Sequence, residues 1–206
     1  MSLSKLLPLE LKVGQGAYYL FAARNLDPAF KRFANQVKQR DRHMCRFCGF
    51  KSVSAMTVVN INHDYRDNKM SNLATSCPFC LQAHFIEAVG SLLPGGGTLI
   101  YLPEMTQNQL SALTHVCFAA IVNGSSHSLD SDRYIRSLKL RSAPVEKQYG
   151  KHMSDPKFMG RVLIDTPVND IEDRKVMMLK DLRLLPSLKY FEKAILDWAH
   201  YAGDQV

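Results

Sequence analysis

The amino-acid sequence predicts an α+β protein in which a small module of two strands and a helix is embedded in a mostly helical chain. Two Cys-x-x-Cys pairs, Cys45/Cys48 and Cys77/Cys80, are separated by 28 residues. The segment between them contains a run of β-branched residues, and apolar residues elsewhere recur at helical spacing. We therefore expect a cysteine-bearing module surrounded by helices.

The first predicted element is an amphipathic helix. Asp27 is a candidate N-cap, and Pro28 lies at the first helical position, where its missing N–H leaves no hydrogen bond unmade. Phe30, Phe33 and Val37 recur at helical spacing and form one apolar stripe. We expect this helix to run into the first cysteine pair.

The strand and the helix of the module come next. Residues 56–63, "MTVVNINH", are rich in Val, Thr and Ile and predict a strand. Residues 77–90, "CPFCLQAHFIEAVG", predict a helix from Pro78 onward that ends at Gly90. The segment between the cysteine pairs is long enough for two short strands and a loop, so the pairs are able to converge.

A glycine-rich break at residues 95–97 is the best internal boundary in the chain. It divides the sequence into residues 1–94, which hold the N-terminal helix and the cysteine module with its core at 38–90, and residues 95–206. We expect the second part to be a mostly helical extension that packs on the first.

The extension begins with a short strand near residues 99–102. Thr106 and Gln109 fit a capping box, which predicts the start of a helix that Gly124 ends. Further helices are predicted over 132–140, over 171–185 and, capped by Ser187, over 187–203.

Composition and charge restrict the classes of protein that this chain can be. Of its 206 residues 46% are hydrophobic, and no apolar run approaches the roughly 20 residues that a membrane-spanning helix needs. The N-terminus makes a poor secretion signal, so we expect a cytoplasmic protein.

The formal net charge is +7, and residues 1–100 hold 12 Lys and Arg against 6 Asp and Glu. Such a basic half suits nucleic acid, an acidic partner, anionic headgroups or simply solvent.

The cysteines predict one structural zinc site. A two-residue gap lets both thiolates of a pair face one centre, and Zn²⁺ takes four such ligands in a tetrahedron. We expect one Zn²⁺ per chain to stabilise the module by binding Cys45, Cys48, Cys77 and Cys80. The rival uses of the cysteines are less favoured. Disulfides are disfavoured in a cytosolic chain without a secretion signal, and the cysteine spacing is not that of an iron–sulfur site. A thioredoxin-like redox pair would need only one Cys-x-x-Cys motif.

The module resembles the HNH nuclease family. The similarity lies in four stretches: "RDRHMCRFCG" (40–49), "INH" (61–63), "SNLATSC" (71–77) and "CPFCLQAH" (77–84). The resemblance implies a ββα-metal fold. In that fold His63 would be the general base, Asn72 the residue that orients its loop, and His84 the late metal ligand.

One position departs from the nuclease pattern. The family has an Asp before its first His to bind the catalytic metal, whereas this chain has Asn62. Its neutral amide oxygen is a weaker ligand for Mg²⁺ than a carboxylate, so the Lewis acid that stabilises a leaving oxygen is weakened. We therefore expect a degenerate site and no enzyme, with His63, Asn72 and His84 as nuclease-like remnants and no catalytic residue.

The chain as a whole resembles a narrower family, the IcmJ (DotN) family of the Dot/Icm type IVB secretion system. The resemblance lies in five stretches: "RDRHMCRFCGF", "SNLATSCPFC", "GGGTLIYLPEMTQNQL", "RSAPVEKQYG" and "LKDLRLLPSLKYFEKAI". It implies a non-catalytic adaptor of the coupling complex, which exports effector proteins. Its partners would be the coupling ATPase DotL, DotM and the IcmS–IcmW adaptor, and it would associate peripherally with the bacterial inner membrane.

The alternative function is a metal-dependent HNH-type nuclease, or a nucleic-acid-binding relic of one. The basic first half and His63 favour it.

The other candidate ligands are expected to be structural: His115 and Cys117 each stand alone in their helix, and no partner spacing accompanies His127, His152 or His200.

Overall fold

The fold is that of an α+β protein, as predicted. The computed structural model describes residues 6–166 and 177–203, and in these ranges helices surround two antiparallel two-stranded sheets. The strands pair as β1 with β2 and β3 with β4, where β1 is Thr57–Asn60, β2 is Leu73–Ser76, β3 is Gly97–Tyr101 and β4 is Leu182–Pro186.

Helices account for about half of the described residues. They are α1 (Ala17–Leu26), α2 (Pro28–Arg40), α3 (Pro78–Ala83), α4 (Gln107–Val122), α5 (Ser128–Leu140), α6 (Ser142–Tyr149), α7 (Pro156–Asp165) and α8 (Leu188–Gly203). Short 3-10 turns span Met70–Asn72 and Ile86–Ala88. No helix in these ranges is both long enough and apolar enough to cross a membrane.

The capping residues behave as the sequence predicts. The Asp27 carboxylate accepts a hydrogen bond from Ala29 N at 2.9 Å and begins α2. Thr106 and Gln109 form the reciprocal capping box of α4. Both caps satisfy N–H groups that the first turn of a helix leaves without partners. These starts are therefore encoded locally.

Helix α1 has no counterpart among the predicted elements. Its N-cap, Gly16, makes no side-chain hydrogen bond, so the usual start signal is absent. Its apolar residues lie on more than one face: Phe21 is buried, whereas Tyr19 and Leu26 are exposed. The helix is positioned by tertiary contacts rather than by a clear apolar stripe.

The helix predicted over 77–90 is shorter than expected. α3 ends at Ala83, and Phe85 leaves the helical conformation with φ −148° and ψ 60°. The extended N-terminal segment supplies the hydrogen-bonding partners that the helix loses, since Lys12 N donates to Ala83 O and Ile86 N donates to Lys12 O. The Phe85 ring is thereby fully buried in the core.

The prediction of a helix over residues 171–185 is wrong for the second half of that range. Residues 182–185 belong to β4, while residues 171–176 lie outside the described residues. Leucines three apart imitate a helical pattern here, an ambiguity that short apolar runs share. Gln107 completes the outer edge of β4, because its side chain accepts from Leu184 N at 2.8 Å and donates to Leu184 O at 3.0 Å.

The main hydrophobic core joins side chains from both parts of the chain. Phe79 and Phe85 belong to the same buried cluster as Phe118 of α4, Leu184 of β4 and Phe191 of α8. The extension thus contacts the cysteine module through shared core residues. The boundary at residues 94/95 stays a prediction.

Arg24 of α1 holds the loop that follows β1. Its buried guanidinium donates to Asn60 Oδ1, to Asn68 Oδ1 at 3.1 Å and to Val58 O at 2.7 Å. It also lies over the Phe30 ring, 4.1 Å from the centroid. A buried charge with several hydrogen bonds fixes the geometry of its neighbours.

Replacing Arg24 with Met should destabilise the protein by about 2–4 kcal/mol, because two buried carbonyl acceptors lose their charged donor. For a chain of this length the midpoint of thermal unfolding should fall by roughly 5–15 °C. The matched control is Arg32→Met, since Arg32 lies exposed on α2. Equal melting temperatures for the two variants would contradict this role of Arg24.

Candidate metal centre

The first cysteine pair lies in a tight turn that follows α2. Cys45 N donates to Phe50 O at 2.8 Å, and Gly49 N donates to Cys45 O at 3.0 Å. Gly49 has φ +82°, a left-handed conformation that glycine adopts without steric cost. The turn directs the side chains of Cys45 and Cys48 to one side.

The second pair lies at the start of α3. Cys77 is the N-cap residue, and its sulfur accepts from Cys80 N at 3.5 Å. Pro78 occupies the first helical position, where it suits the start of a helix. Cys80 lies within the first turn, so its sulfur faces the same centre as that of Cys77.

A buried carboxylate connects the two pairs, and the sequence analysis missed it. Asp41 accepts from Thr75 N at 2.9 Å and from Arg46 Nη1 at 3.3 Å, while Arg46 N donates to Thr75 O at 2.8 Å. Burial alone would raise the pKa of Asp41, but hydrogen bonds from Arg40 and Thr75 hold it below its usual range. The sequence indicates this role of Asp41 only through its position as a single acidic residue within the basic stretch "RDRHMCR".

The four sulfurs form a group able to hold one metal ion. Those of Cys45, Cys48, Cys77 and Cys80 all lie within 4.8 Å of one another, and the Cys48 and Cys77 sulfurs are 3.5 Å apart. A tetrahedron with Zn–S bonds of 2.3 Å has ligands about 3.8 Å apart, so the donor set fits. Burial raises the pKa of the Cys77 and Cys80 thiols, so a cation is needed for all four to ionise.

His115 of α4 contacts this group, a proximity that its isolated position in the sequence does not indicate, although it is not one of the four residues that could hold the metal. Its Nε2 lies 3.3 Å from Cys77 Sγ. The imidazole stacks between Phe50 and Phe79, with centroid distances of 3.8 and 4.0 Å. Burial lowers the pKa of His115 to about 3, so the ring is neutral at physiological pH. Cys117, two residues later, is buried and lies outside the metal-binding group.

The nuclease-like histidines meet at a second place. His84 Nδ1 and His63 Nε2 are 3.4 Å apart. Burial lowers the pKa of His63 to about 4, with a further contribution from Lys12, and it lowers the pKa of His84 well below its usual range. Both rings are therefore neutral. The prediction that His63 ends a strand is wrong, because β1 ends at Asn60 and His63 lies in a turn with φ +61°.

Asn62 and Asn72 are paired with each other. Asn72 Nδ2 donates to Asn62 Oδ1 at 2.8 Å, and Asn62 N donates to Asn72 Oδ1 at 3.1 Å. Asp64 N also donates to Asn62 Oδ1, at 2.9 Å. The Asn62 amide oxygen thus accepts two hydrogen bonds within the loop. Asn72 joins the two ends of the loop through hydrogen bonds to Asn62.

The scattered histidines do not join either group within the described residues. His127 and His152 are exposed. The side chain of His200 lies outside the described residues. His127 and His152 therefore add no ligand to the four sulfurs.

Comparison with known proteins identifies the family of this chain. No family model matches the sequence. The chain is 43% identical over 198 residues to the type 4 apparatus protein DotN of Legionella pneumophila subsp. pneumophila (strain Philadelphia 1), and the match covers 96% of this chain and 92% of that protein. Identity at this level along nearly the whole length confirms the resemblance seen in the sequence motifs. The chain therefore belongs to the DotN (IcmJ) family.

Proposed function

We propose that this protein is a non-catalytic, zinc-stabilised subunit of a Dot/Icm type IVB secretion apparatus. The observation that carries the proposal is the 43% identity, over 96% of the chain, to a protein named as a type 4 apparatus component. In this role it binds the coupling ATPase DotL, together with DotM and the IcmS–IcmW adaptor, and supports effector export. It acts from the cytoplasm as a peripheral member of the inner-membrane coupling complex.

Zinc is the metal that best suits the four sulfurs. Thiolates select soft or borderline ions, and a tetrahedral four-cysteine site leaves no open position for substrate or water. The burial of all four cysteines supports a closed structural site. The order β1, β2, α3 around that site is compatible with the HNH-like ββα unit that the motifs predict.

The geometry of the nuclease-like residues supports a non-catalytic role. A general base works best with a pKa near the operating pH, whereas burial holds the pKa of His63 at about 4. Asn62 is engaged with Asn72 and Asp64 N, and it brings no charge to a divalent cation. These residues therefore act in closing the loop between β1 and β2.

The alternative is an HNH-type nuclease or a nucleic-acid-binding relic. The contact between His63 and His84 favours it, since it brings together the two histidines that the family uses. The net charge of +7 also suits a polyanion. The two functions differ in an activity that is simple to measure.

Metal analysis of the purified protein should give about one Zn²⁺ per chain, because four cysteines fill one tetrahedral site. The Cys77→Ser variant should lose the metal, and most of the protein should be absent from the soluble fraction, because the free energy of metal binding contributes to the free energy of folding. Cys117→Ser is the matched control and should keep its zinc. Folded wild-type protein with almost no bound metal would refute the zinc site.

Incubation with plasmid DNA and Mg²⁺, Mn²⁺ or Ni²⁺ should leave the plasmid intact, because the residue before His63 is the neutral Asn62 rather than a metal-binding carboxylate. The matched variant is His63→Ala, which should behave as wild type. Cleavage that requires the metal and disappears in His63→Ala would establish the nuclease function instead. DNA binding that weakens steeply with rising salt would favour the relic.

Affinity purification from the native cell should recover the coupling ATPase. Cys77→Ser, expressed at a matched level, should recover less of it, because the module that supports the binding surface is unfolded. Nuclease treatment of the lysate should leave the recovery unchanged. Recovery of nucleic acid alone would favour the nuclease or nucleic-acid-binding relic over the secretion-apparatus subunit.

A further inference from the structure

We propose that His115 is a positioning residue of the metal centre, whose Nε2–H donates to the Cys77 sulfur and so makes metal affinity depend on the packing of α4. The inference rests on the zinc-binding part of the proposed function. It assigns a role to a residue that the sequence placed far from the site, in the helical extension after the glycine-rich break.

The direction of the hydrogen bond follows from the chemistry of the pair. A metal-bound thiolate has no proton and only accepts, so the contact of 3.3 Å requires the proton on His115 Nε2. Cys77 Sγ already accepts from Cys80 N at 3.5 Å. The histidine thus adds a second N–H donor to the same sulfur.

Both cysteine pairs hold the imidazole in place. Phe50 follows the first pair and lies nearly parallel to the ring, with an interplanar angle of 4°. Phe79, between Cys77 and Cys80, covers the opposite face at 19°. A ring enclosed on both faces keeps its orientation, and this is the property that a second layer of residues around a metal requires.

The charge of the site explains what the donor contributes. Four thiolates and one Zn²⁺ carry a net charge of −2 in a buried place, where unsatisfied charge is costly. An N–H that donates a hydrogen bond to a sulfur delocalises part of that negative charge and leaves the number of metal ligands unchanged. Removing such a partner typically lowers metal affinity by about 10- to 100-fold.

The contact also couples two parts of the chain. His115 lies on α4, and α4 packs on both α3 and α8. A metal that binds more tightly when α4 is docked must, by linkage, stabilise the docking of α4 in return. Zinc would therefore order the extension as well as the module.

The test compares Co²⁺-loaded wild type with His115→Phe, which keeps an aromatic ring between Phe50 and Phe79 but removes the donor. His115→Phe should lose metal to a competing chelator with about 10- to 100-fold lower affinity and shift the cobalt–thiolate charge-transfer band. His115→Gln, which retains an N–H, should recover part of the affinity. His127→Phe, at an exposed position, should match wild type.

A second measurement needs no variant. Chelation of the metal from wild type should speed hydrogen exchange in α4 as well as in the cysteine module. Wild-type affinity and an unshifted band in His115→Phe would overturn the inference, as would unchanged exchange in α4 after chelation. A wild-type protein that binds no Co²⁺ or Zn²⁺ would instead refute the zinc site itself, so the two failures are distinguishable.

Discussion

Convergence of four cysteine sulfurs on one tetrahedron is the constraint on which the structure of the module depends. Two short turns must present their sulfurs within 4.8 Å of one another although 28 residues separate them. The β1–β2 hairpin brings the turns together, and Asp41 joins the first turn to β2 through Thr75 N. A sheet of two four-residue strands buries little on its own, so these hydrogen bonds and the zinc ion that we propose stabilise it.

The loop between β1 and β2 is held closed by side-chain hydrogen bonds. Arg24 and Asn60 close its base, and Asn62 and Asn72 join its ends. The Asn62 amide oxygen accepts from Asn72 Nδ2 and from Asp64 N, so it is occupied by hydrogen bonds within the loop.

The extension is built onto the module through aromatic contacts. Phe79 lies in contact with His115, Phe118 and Phe191, which belong to α4 and α8. In the function that we propose, a zinc site beneath these rings gives the helices a fixed base. Such a base suits a subunit that presents a surface to larger partners, because the surface must hold its geometry when bound.

The sequence by itself determined the features that are encoded within a few residues. The cysteine spacing, the Asp27 cap and the Thr106–Gln109 capping box follow from local chemistry, and the structure has each of them. Tertiary structure alone decided α1, the early end of α3, the β4 strand and the contact of His115 with Cys77. Each of these depends on a partner distant in sequence: Asn60 for Arg24, Lys12 for Ala83, Gln107 for Leu184 and the two cysteine pairs for His115. Periodicity and spacing describe only near neighbours, and hydrogen bonds between distant segments are formed only once the chain has folded.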